Sequence, residues 1–64
     1  MKIDKRKLEI AMANACMSTA ELQKNAMMPK QTLFSAISGK NIKPVTVGKI
    51  AKALGVAVTE ILAD

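Results

Sequence analysis

Four apolar residues, Val47, Ile50, Ala51 and Leu54, recur at i, i+3, i+4 and i+7. No other stretch of the chain is so regular, and the pattern restricts the fold more than any other feature. The spacing places all four side chains on one stripe of an α-helix, and such a stripe has to be buried against a neighbour. In 64 residues there is room for one domain only (1–64), and aromatic residues are almost absent from it. Phe34 is the single aromatic, whereas small barrels and sandwiches draw on aromatic and β-branched residues. The neighbours of this helix are therefore expected to be helices. A chain of this size buries only about 60% of its unfolded surface, but half of its residues are apolar, enough for a small helical core without metal or disulfide.

Four further helices are expected. From Lys5 to about Ala15, Leu8, Ala11, Met12 and Ala15 recur at helical spacing, with Asp4 placed to cap the run. Ser18-Thr-Ala-Glu21 is a capping box, in which each side chain satisfies the other residue's backbone N–H, and Leu22 and Ala26 follow on one face. This second helix should end between Asn25 and Met27. Pro29 suits the start of a third helix, Leu33, Ala36 and Ile37 form its apolar stripe, and Gly39 should stop it in the left-handed conformation. After the linker Lys40-Asn41-Ile42-Lys43-Pro44, Thr46 is a candidate cap for the fourth helix and Gly55 its terminator. A last short helix from about Val58 should bury Val58, Ile61 and Leu62. The fold class expected is all-α, a compact bundle of five short helices.

The placement of charge says more than its net value of +5. Between Leu22 and Thr59 the chain carries Lys24, Lys30, Lys40, Lys43, Lys49 and Lys52 and no acid at all. Such a surface favours a polyanion, because each lysine near a phosphate can release a counterion. Lys2, Lys5, Arg6 and Lys7 form either a basic arm or simply a soluble end.

Other function classes find little support. There is no His, and the five acids are scattered without useful pairing. No glycine-rich phosphate loop is present. Neither catalysis nor a metal site, cofactor or small-molecule ligand is expected. No apolar run approaches the roughly 20 residues that span a bilayer, and Lys and Glu interrupt the N-terminal apolar positions where a secretory signal would be continuous. The lone Cys16 fits a reducing compartment, and a cytoplasmic location without membrane contact is expected. Cys16 is expected to be partly buried. The Met residues read as gap fillers, although Met27 and Met28, adjacent in a turn, could expose an apolar spot.

Two short helices joined by a brief turn, the second following a proline and ending at a glycine, suggest a helix-turn-helix. From Ser18 to Leu62 the chain resembles the Cro/cI-type (XRE-family) phage and bacterial regulators. The matching stretches are Ser18-Thr-Ala-Glu-Leu22, Pro29-Lys-Gln-Thr-Leu33, Gly39-Lys40 with Pro44 beyond, and Lys49-Ile-Ala-Lys-Ala-Leu-Gly-Val56.

The resemblance implies a lambda repressor-like DNA-binding domain whose recognition helix covers about residues 29–38. Lys30, Gln31 and Ser35 would face base edges, and the chemistry suits: Lys donates to guanine O6 and N7, and Gln pairs bidentately with adenine. Thr19, Thr32, Lys40, Asn41 and Lys43 would meet the DNA backbone. The partner implied is double-stranded DNA at a two-fold symmetric operator, bound by a homodimer weak in its absence. The C-terminal residues Val56, Val58, Ile61 and Leu62 would serve either the dimer or the monomer core. This sequence departs from the family at Thr19, where Gln is usual, at Gln23, where a small residue is usual, and at Met27, where Gly is usual. A non-glycine residue with positive φ costs on the order of 1 kcal/mol, so a different turn is open at Met27. Two other readings stay in play: a protein-interaction module such as an antitoxin-like subunit or adaptor, and a non-specific architectural DNA binder.

Overall fold

The computed structural model describes residues 1–63. It is all-helical: α1 (Lys5–Ala15), α2 (Thr19–Ala26), α3 (Lys30–Ile37) and α4 (Pro44–Leu54), followed by a single 3-10 turn (Val58–Glu60). Helix α4 is the centre of the packing, contacting α1, α2 and the 3-10 turn. Its stripe of Val47, Ile50, Ala51 and Leu54 is buried, together with Leu8 and Ala11 of α1, Leu22 and Ala26 of α2, and Leu33 and Ala36 of α3.

Local chemistry explains most helix starts. Asp4 accepts the Lys7 N–H through Oδ1 at 3.0 Å. The capping box of α2 closes in both directions: Ser18 Oγ accepts from the Glu21 N–H and Glu21 Oε1 from the Ser18 N–H, each at 3.2 Å. Helix α4 begins earlier than expected. Pro44 takes its first position, where φ is preset and no N–H is missed, so Thr46 lies inside the first turn and Lys43 is the cap residue.

All four α-helices end in the same way. A left-handed residue or the residue after it returns two N–H groups to carbonyls of the last turn, the Schellman arrangement. At Gly39 the bonds are Gly39 N–H to Ala36 O (3.2 Å) and Lys40 N–H to Ser35 O (3.1 Å), and at Gly55 they are Gly55 to Lys52 and Val56 to Ala51. Cys16 and Met27 occupy the same position without being glycine, at φ 55° and 53°. The turn at Met27 therefore keeps the left-handed form despite its cost. Met28, the next residue, is what fixes it: its N–H bonds to Gln23 O and its side chain is buried in the core. Of the apolar pair only Met27 is exposed, at 87%. Cys16 is exposed rather than partly buried, because the left-handed cap turns its side chain outward. Met27→Gly should raise stability by about 1 kcal/mol, which in a domain of this size is about 4–8 °C in Tm. A fall in Tm on thermal unfolding would mean that the Met27 side chain contributes more than its backbone costs.

The fifth helix is present as a short 3-10 segment. Residues 58–60 form only a 3-10 turn, with Glu60 Oε2 accepting the Ala57 N–H at 2.7 Å. An α-helix cannot continue because Ile61 and Leu62 are claimed by the other end of the chain. Asp4 N–H donates to Ile61 O at 2.8 Å, Ala63 N–H to Lys2 O at 3.0 Å, and Ile3 pairs with Leu62 in an antiparallel bridge. Ile61 and Ile3 are buried, while Val58 and Leu62 are half-buried against the core. The same N-terminal segment fastens the linker after α3, since Ile42 N–H donates to Met1 O at 2.7 Å. Residues 1–4 are thus bound to the body rather than extended as an arm.

Candidate functional site

Helix α3 is short, and its two faces differ sharply. Leu33 and Ala36 have no exposed surface and Ile37 is half-buried, so the helix cannot roll without opening the core. At about 100° per residue, Lys30, Phe34, Gln31 and Ser35 fall on one contiguous outward arc. Lys30, Gln31 and Phe34 are exposed and Ser35 is half-buried. Thr32 lies on the flank of that arc and is half-buried. Ser35 also serves the helix end, its carbonyl accepting from Ser38 Oγ at 3.0 Å.

Helix α2 meets this surface at one side. Thr19, Ala20 and Gln23 line a cleft of about 380 Å³ with Lys30 and Phe34. Thr19, the first residue of α2, thus opens onto the same cleft as Lys30. Gln23 is half-buried and lines the same cleft. The Lys30 ammonium lies over the Phe34 ring, 5.3 Å from its centroid. This cation–π contact gives an otherwise floppy lysine a preferred position. Phe34, noted in the sequence as the single aromatic, thus joins the outward arc as the partner of Lys30. The i, i+4 spacing of Lys30 and Phe34 was the signal that joins them.

Beyond α3, Lys40, Asn41 and Lys43 are all exposed. Asn41 is not idle: its Oδ1 accepts from the Met1 amine at 2.5 Å, and the same amine donates to Ile42 O at 2.8 Å. The Asn41 amide nitrogen is then the group suited to an anion. All six lysines of the acid-free stretch are exposed, so its positive charge lies wholly at the surface. Lys49 and Lys52 line a second groove of about 580 Å³ with Asn25, Ala26, Met27 and Ala53. Among the described residues no helix is long and apolar enough to cross a membrane.

In its fold the chain is a helical domain in which α2, the turn at Met27 and α3 make a helix-turn-helix. No family model matches the sequence, and no curated protein matches it. Among solved structures it is similar to a point mutant of hydroxyethylphosphonate dioxygenase, with a TM-score of 0.83 and 26% identity. The match covers 100% of this chain but 14% of that protein's, so the helical domain is one part of a much longer molecule there.

Proposed function

We propose that this chain is a sequence-specific, double-stranded DNA-binding transcriptional regulator of the lambda repressor-like kind, a prophage- or plasmid-like repressor. It inserts α3 into the major groove and acts without catalysis, metal or cofactor, in the cytoplasm. The observation that carries the reading is the pairing of exposed Lys30 and Gln31 at the start of a helix whose other face is locked in the core, with exposed Lys40 and Lys43 just past its end. Lys30, Gln31 and Ser35 read base edges. Thr19, Thr32, Lys40, Asn41 and Lys43 hold the phosphates. The larger part of the dioxygenase has no counterpart in this chain, and nothing of its activity is carried over.

One module buries limited DNA surface, so two copies on a symmetric site are needed for tight specificity. Ile61 is consumed by the monomer core, and Val56, Val58 and Leu62 pack half-buried against it, which favours a dimer completed on DNA over one built on the C-terminal residues. Selection of sites from a random DNA pool should return a preferred sequence. Gln31→Ala should then relax preference at one position and weaken binding by about 1–3 kcal/mol. An unchanged preferred sequence would remove Gln31 from the reading surface.

A second reading, an adaptor that binds protein, is favoured by the exposed Met27 beside Lys49 and Lys52. Competition at several salt concentrations separates the possibilities. A regulator keeps its preference as salt rises, an architectural binder loses all sequences together, and an adaptor never holds DNA appreciably.

A further inference from the structure

Phe34 is the chain's single aromatic residue, yet it is 49% exposed. The core has already taken Leu33 and Ala36 from the same helix, so the ring is left on the outward arc with Lys30 and Gln31. One wall of the cleft beside α2 is thus apolar, and its rim carries the Lys30 ammonium at 5.3 Å from the ring. In the major groove the apolar feature that distinguishes one base from the others is the C5-methyl of thymine. The ring offers no hydrogen-bond donor or acceptor, so that methyl is the base-edge group it can recognise.

From this we infer that Phe34 is a specificity-determining residue that packs on a thymine methyl, and that the same half-site presents a guanine to Lys30 close by. The inference rests on reading α3 as the groove-entering helix. Base pairs stack about 3.4 Å apart, and a hydrogen bond and a ring–methyl contact added to the 5.3 Å between ammonium and ring centroid give a reach of about 12 Å, or roughly three to four steps. Each half-site should therefore contain a thymine and a guanine within about four base pairs of one another. Lys30 keeps its place over the ring while donating, because an ammonium has three N–H groups.

The test replaces each thymine of the selected site in turn by deoxyuridine, which removes the methyl and leaves base pairing intact. One position per half-site should weaken wild-type binding by about four-fold, the worth of one buried methyl. In Phe34→Ala the same substitution should have no effect, and Phe34→Leu should keep part of the discrimination. Circular dichroism confirms that the variants fold. Indifference of the wild-type protein to every deoxyuridine, or an undiminished penalty in Phe34→Ala, would overturn the assignment while leaving DNA binding intact. A pool that yields no preferred sequence would overturn both.

Discussion

Replacing Ile50 by Ala should destabilise the domain by about 2–5 kcal/mol, the range for truncating a fully buried Ile. Ile50 has no exposed surface and lies in the middle of α4, the helix against which α1, α2 and the 3-10 turn all pack. At about 0.05–0.15 kcal/mol per residue, a chain of 64 residues holds roughly 3–10 kcal/mol in all, so this one change removes a large part of it. The lost methylenes leave a cavity that three separate elements would have to close together, which puts the cost toward the upper end. Lys49→Ala, at the neighbouring exposed position, is the control and should stay within about 0.5 kcal/mol. Urea titration of both variants gives the comparison. Equal shifts in midpoint would mean that α4 does not organise the core.

The second large effect is on DNA affinity. If Lys40 and Lys43 each neutralise one phosphate, a dimer neutralises about four, and log K should fall with log salt at a slope of about −3.6. Raising monovalent salt from about 50 to 200 mM should then weaken binding by about two powers of ten. Lys43→Ala should weaken binding to all sequences alike and flatten the slope by about 1 per copy. The preferred sequence should not change, because phosphate contacts carry no base information. A slope unmoved by Lys43→Ala would take the linker after α3 off the DNA backbone.

What could be read from residues alone was whatever depends on neighbours in sequence. The stripe of α4, the Ser18–Glu21 box, the Asp4 cap and the glycines at 39 and 55 each act within a few residues of themselves, and the structure has them in those roles. Side-chain type does not announce a left-handed Cys16, and at Met27 it left a different turn open although the position keeps the left-handed form. Both conformations are imposed by the need of each helix end for two returned N–H groups and, at Met27, by the burial of Met28. The shortness of the fifth helix and the burial of Ile3 depend on pairing between residues almost a whole chain apart, which no local periodicity encodes. The outward face of α3 was legible by subtraction, since Leu33, Ala36 and Ile37 had to point inward. The bond from the Met1 amine to Asn41 was not.

That last connection has a consequence for motion. Residues 1–4 form a clasp, gripping residues 61–63 along one edge and the linker at 41 and 42 along the other. Peeling residues 1–4 off the body therefore frees residues 61–63 and the lysine-bearing strap beyond α3 together. While the clasp holds, a polyanion landing on Lys40 and Lys43 meets a strap already set in shape, and little entropy is spent in fixing it.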